Sequence, residues 1–121
     1  MLTVELAPEP ASATRARHFA REQLGVVCSS EALDTIALLV TELVTNAILH
    51  ARTPLTLVIE TESDRVRLRV EDSSPQQPQL RNYAPDAVTG RGLALVERLA
   101  SAWGVEPTAS GKVVWCEITT T

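Results

Sequence analysis

The spacing of apolar residues changes several times along this chain, and each change marks an element. "LTVEL" alternates and is rich in β-formers, which predicts a short first strand ended by Pro8 and Pro10. In "ASATRARHFAREQLG" the period lengthens. Ala16, Phe19, Ala20 and Leu24 fall on one helical face, and Gly25 supplies a C-terminal stop. "VVCSS" links to a second helix, where Ser29 or Ser30 can cap and Glu31 suits the N-terminal dipole. That helix is predicted from about Glu31 to Ala51, with Leu33, Ile36, Ala37, Val40, Leu43, Val44 and Ala47 in one stripe. Its opposite side is not plainly polar, because Leu38, Leu39 and Leu49 flank Glu42 and Asn46. One side should meet the core and the other should be half covered.

"PLTLVIETE" and "RVRLRVED" alternate again. With the turn chemistry of "SDR" between them they read as a hairpin. In its second strand Val66, Leu68 and Val70 point one way, and Arg65, Arg67, Arg69 and Glu71 the other, so the sheet should have one buried and one wet face. Ser73 to Thr89, "SSPQQPQLRNYAPDAVT", breaks the pattern with three prolines and few apolar residues. A stretch of this length without periodicity inside a small domain reads as a lid or binding loop. "GRGLALVERLASAWG" predicts a third helix, with Leu93, Val96, Leu99 and Ala100 on its face and Gly104 at its end. "GVEPTAS" and "KVVWCEITT" follow as two strands joined around Gly111. The order strand, helix, helix, strand, strand, loop, helix, strand, strand predicts an α+β fold, a two-layer α/β sandwich with helices on one face of a mostly antiparallel sheet.

Composition narrows the function classes. The chain has 121 residues, which suits a single domain, 1–121, with a core large enough to need neither disulfide nor structural metal. The net charge of −4 and the lack of a dense Lys/Arg stripe argue against direct nucleic-acid binding. An anionic ligand would be held by backbone amides, a helix N-terminus, a metal, or one or two arginines. Cys28 and Cys116 match no metal spacing and are expected to be reduced thiols. The start "MLTVELAPEP" does not resemble a signal peptide, and no apolar run was expected to approach the roughly twenty residues of a membrane helix. A cytoplasmic protein is the expectation.

Three places carry candidate chemistry. Glu42 and Asn46 lie four apart and share one helical face. An amide oxygen is a hard ligand of the kind Mg²⁺ accepts beside substrate phosphates, and a carboxylate one turn away can orient a hydroxyl or water. The pair also reads as an incidental polar patch on a solvated helix face, although the flanking leucines argue against that. In "TGRGLALVERL", Gly90 and Gly92 precede a helix whose free amides suit a phosphate, and Arg91 can add a charge-assisted contact. An ordinary glycine-rich helix entry has the same look, and neither a P-loop nor a Rossmann pattern is present. Asp72, at a strand end in "VEDSSP", can accept from a ligand amine or simply start a turn. His50, near the end of its helix, reads as a dipole-favoured residue, and His18 as incidental.

Taken in order, "ELVTNAILHA", "VEDSSP", "TGRGLALVERLASAWGV" and "SGKVVW" resemble the GHKL ATPase superfamily. More closely, the chain looks like the small histidine-kinase-like ATP-binding domains of anti-sigma factor serine kinases, in the compact form common in actinobacteria. The resemblance covers nearly the whole chain. It implies the Bergerat ATP-binding fold, a mixed, mostly antiparallel sheet backed by helices, with ATP and Mg²⁺ as cofactors. By position it makes Glu42 the catalytic base or water-orienter and Asn46 the Mg²⁺ ligand. It makes Asp72 the reader of the adenine amino group, and Gly90, Arg91, Gly92 and Leu93 the cofactor-binding glycine box. It further implies phosphorylation of an anti-anti-sigma partner on serine, binding of a sigma factor, and a homodimer as one allowed state. Two places depart from the family pattern. Ser73-Ser74-Pro75 stand where relatives carry glycines, and Val113 stands where a Thr commonly follows Gly-Lys, its hydroxyl expected at the adenine pocket. They keep a second reading open, a regulatory protein-binding module with a vestigial nucleotide site.

Overall fold

The computed structural model describes residues 1–73 and 90–120, with 90–93 described by backbone alone. The elements run β1 (Leu2–Leu6), α1 (Ala11–Leu24), α2 (Ser30–Ala51), β2 (Leu55–Glu62), β3 (Arg65–Asp72), α3 (Gly90–Leu99), β4 (Ala102–Pro107) and β5 (Lys112–Thr119). The expected order is therefore present. The five strands form one sheet in the order β1-β2-β3-β5-β4. Every pairing among the described strands is antiparallel, so the sheet is antiparallel throughout where the resemblance implied a mixed one.

The helices form the second layer. α2 is central, packing on α1, α3, β2, β3 and β5. Ser29 caps it, its hydroxyl accepting from the Ala32 amide at 3.1 Å. Arg52, in the left-handed region at φ 56°, ends it. Ile36, Ala37, Val40, Leu43, Val44 and Ala47 are buried as the stripe predicted, and so is Leu39, which had been placed on the half-covered side. By length and composition α2 is apolar enough to cross a membrane, contrary to the expectation that no segment approaches that length. Its apolar side is covered by the sheet and the flanking helices, as befits the central helix of a two-layer core.

The hairpin of β2 and β3 has the alternation the sequence predicted. Leu55, Leu57, Ile59, Val66, Leu68 and Val70 face the helices and are buried. Their alternation partners Arg65, Arg67 and Arg69 line the outer face. On β5 the helix-facing set is Lys112, Val114, Cys116 and Ile118.

The third helix is shorter than predicted. It ends at Leu99, and Gly104 lies inside β4 instead of capping a helix. Trp103 fits both periods: it continues the helical stripe of Val96 and Leu99, and it also alternates with Val105 toward the core. Gly104 pairs with Trp115 across the β4–β5 ladder, and a Cβ there would lie 2.8 Å from the indole Nε1. The indole covers the glycine, a pairing that strands use.

Candidate functional site

One end of the inner sheet face is polar although the alternation continues an apolar row. Val66, Leu68, Val70 and Asp72 share a face at period two, and so do Ile118, Cys116, Val114 and Lys112. Asp72 and Lys112 are direct register partners. Lys112 Nζ lies 2.8 Å from Asp72 Oδ2, with side chains 6% and 2% exposed respectively. Asp72 thus closes the row on a buried charge instead of opening a solvated turn.

Local backbone chemistry fixes that corner. The Thr108 amide donates to the Gly111 carbonyl at 2.9 Å, and the Gly111 amide donates to Thr108 Oγ1 at 2.9 Å, which closes the turn between β4 and β5. Gly111 then passes so close to β3 that a Cβ would lie 2.1 Å from the Asp72 carbonyl oxygen and 3.0 Å from Oδ1. Only glycine allows this approach. On the other side the Ser73 amide donates to Thr53 Oγ1 at 3.2 Å, holding the chain as it leaves β3.

α2, which packs on β3 and β5, carries further polar groups. Glu42, Asn46 and His50 succeed one another at intervals of four and form one stripe. Asn46 is buried, and among the described residues neither its Oδ1 nor its Nδ2 has a hydrogen-bond partner. Leaving such groups unpaired costs about 1–3 kcal/mol, which the apolar α2 core does nothing to offset. Glu42 is half-buried, and no ion pair or hydrogen bond engages it among the described residues. His50 is half-buried too. Burial first and the Lys112 charge second hold its imidazole below the ordinary histidine range, the opposite of the dipole-favoured residue expected. Lys112 and His50 were both missed as site residues. The period-two row of β5 and the four-residue spacing after Asn46 were the signals that could have found them.

Val113 needs a correction. It alternates onto the outer face, away from Asp72, so a hydroxyl there would not meet the site by Asp72. Gly90, Arg91, Gly92 and Leu93 begin α3, which packs against α2, but their side chains lie outside the described residues. The expected lid, including Ser74 and Pro75, also lies outside them.

The sequence profile of the histidine kinase-like ATPase domain matches residues 6–118. This chain belongs to that family. It is accordingly a histidine kinase-like ATPase domain, within the GHKL superfamily that the ordered motifs resembled. No curated protein matches it. Among solved structures it is similar to the histidine kinase domain of the blue-light activated histidine kinase from Erythrobacter litoralis EL346, at 23% identity and a TM-score of 0.61. That match covers 92% of this chain and 60% of the kinase domain, so the chain spans less than two thirds of this structural relative. At this identity the likeness speaks for the fold.

The residues present fit ATP and Mg²⁺. Asn46 offers a buried amide oxygen with no partner among the described residues, the hard donor such an ion accepts. Among the described residues no group of three or more His, Cys, Asp or Glu could hold a metal by itself. An ion at Asn46 would therefore be completed by phosphates and water, as Mg²⁺ usually is. Asp72 carries the carboxylate chemistry to which an amine donates.

Proposed function

We propose that this domain is an ATP- and Mg²⁺-dependent protein serine/threonine kinase of the anti-sigma factor type. It acts in the cytoplasm on a small anti-anti-sigma-like protein, binds a sigma factor, or does both, and a homodimer is one form in which it works. The observation that carries the reading is the unpartnered, buried carboxamide of Asn46, one turn from Glu42 on the helix that faces the Asp72 corner. Asn46 Oδ1 would hold Mg²⁺, which supplies charge neutralisation for the phosphates when bound. Asp72 accepts the exocyclic amine of the base and fixes its orientation. Glu42, which no cation engages among the described residues, takes the proton from the attacking serine hydroxyl. Gly90, Arg91, Gly92 and Leu93 are proposed to meet the phosphates at the start of α3.

The second reading, a partner-binding module with a vestigial nucleotide site, has one observation in its favour: Asp72 is already paired with Lys112. A single experiment separates the two. Wild type and Glu42→Ala are each incubated with ATP, Mg²⁺ and an anti-anti-sigma-like protein. Capture of the partner is then scored alongside phosphoserine by mass spectrometry. The kinase reading predicts phosphoserine from wild type alone. Equal capture by both with no phosphoserine from either would establish the binding module instead.

A further inference from the structure

A hollow of about 320 Å³ lies at the opposite end of the sheet from Asp72, between the start of α2, the end of α3 and the residues that close β5. Ser29, Glu31 and Thr35 line it at α2, Leu99 at α3, and Ile118 and Thr120 at the sheet. Ile118 is six residues along β5 from Lys112, about 20 Å, and Thr35 is eleven along α2 from Asn46, about 16 Å. The hollow has an apolar floor, with Ile118 buried and Leu99 40% exposed. Among the described residues that line it, Glu31 carries the only charge, and no ion pair among the described residues engages it. The Thr120 amide donates to the Asp64 carbonyl at 2.9 Å, which places a second acidic residue next to the rim.

The turn that leads into α2 presents two valines beside this hollow. Val26 is 93% exposed and Val27 68%. The turn is held from within: the Val27 and Cys28 amides both donate to the Leu24 carbonyl, at 3.1 and 3.0 Å, Cys28 packs against the core, and Ser29 caps the helix. Apolar side chains fixed in water next to an apolar hollow with a polar rim mark an interaction surface. We infer that Val26, Val27, Leu99 and Glu31 form a docking site for a partner protein segment that presents an arginine or lysine between aliphatic side chains. The aliphatic stem of the cation lies on Leu99 and over Ile118, its head meets the Glu31 carboxylate, and the flanking side chains cover the two valines. Charge decides the partner. The described lining offers a carboxylate and no cation, so a basic segment is drawn to it and an acidic one repelled. A segment held there leaves the Asp72 corner open, so docking does not depend on nucleotide.

The test is an amide-resolved NMR titration of the whole chain with the tripeptide acetyl-Leu-Arg-Leu-amide, and with acetyl-Leu-Glu-Leu-amide as its charge-reversed counterpart. The arginine peptide should shift the amides of Val27, Glu31, Thr35 and Leu99 saturably, with a Kd of about 1 mM, and leave those of Asp72 and Lys112 unmoved. The glutamate peptide should bind at least about fivefold more weakly. Glu31→Gln changes an exposed side chain and should weaken the arginine peptide by about threefold to fivefold, removing the preference. Val26→Ser/Val27→Ser should weaken both peptides alike. Three results overturn the inference: no saturable shift at these amides up to about 10 mM arginine peptide, equal affinity for the two peptides, or an affinity unchanged in Glu31→Gln. Shifts at the same amides on concentrating the protein alone also overturn it, and assign the face to a second copy of the chain.

Discussion

On the outer face of the sheet, Arg69 meets Glu60 at 3.2 Å, Arg67 meets Glu117 at 3.5 Å, and Arg65 meets Glu62 at 3.2 Å. On the inner face, Lys112 meets Asp72 at 2.8 Å. The chemistry is alike and the surroundings differ. The outer side chains are between 22% and 65% exposed, so water screens them and each pair contributes about 0–1 kcal/mol. Arg67 also stacks 4.5 Å above the Trp115 ring, which makes that face a packed polar surface and not a set of isolated pairs. The inner pair has given up its hydration. Its worth depends on both partners being present, and a lone survivor would be a buried charge. Position on a strand, odd or even, decides which of these two cases a charge falls into.

The largest effect that would sharpen this contrast is expected from Lys112→Met. Stranding Asp72 should lower unfolding stability by about 3–5 kcal/mol in urea. The double variant Lys112→Met/Asp72→Leu should recover most of that loss, and a double variant as unstable as the single one would break the contrast. Next comes Asn46→Leu, which replaces an unpartnered buried amide on the same inner side by an apolar group of like size. It should raise stability by about 1–3 kcal/mol while abolishing nucleotide binding. A loss of stability would mean that the amide has a structural partner.

A smaller effect belongs to His50. Its folded pKa lies below its ordinary 6.5, through burial and the Lys112 charge, so the unfolded chain binds the proton more readily. Stability from this residue is fully present above the unfolded value. It falls as the pH drops from about 6.5 through the folded value. Urea midpoints across that window should decline in wild type, and the decline should be shallower in His50→Gln. The smallest effect is on the outer face. Arg69→Ala should change stability by less than about 1 kcal/mol, and raised salt should shrink the difference further.

Much of the fold could be read from period alone. The β2–β3 hairpin shows strict alternation, and the α2 stripe from Leu33 to Ala47 runs for about four turns, so no competing pattern fits either. The end of α3 was illegible because Trp103 satisfies a helical and a strand spacing at once, and because Gly104 serves Trp115, a residue on another strand. The same limit applied to the site. Glu42 and Asn46 declared themselves by their apolar neighbours, but the absence of a partner for Asn46 among the described residues depends on how helices and sheet pack. Asp72 was noticed as a carboxylate at a strand end. Its pairing with Lys112 depends on the register of β3 against β5, strands separated by a helix and a further strand. Val113 was assigned to the pocket by its place in a motif, and alternation puts it on the other face.

The central claim is that the inner corner of Asn46, Asp72 and Lys112 is a nucleotide site. Calorimetric titration of ATP with and without Mg²⁺ into wild type, Asn46→Ala and Asp72→Ala tests it most directly. The account predicts saturable binding by wild type that Mg²⁺ strengthens, no Mg²⁺ enhancement in Asn46→Ala, and loss of binding in Asp72→Ala. Well-folded wild type showing no binding heat at about 1 mM ATP with Mg²⁺, an affinity weaker than roughly 4 kcal/mol, would contradict it.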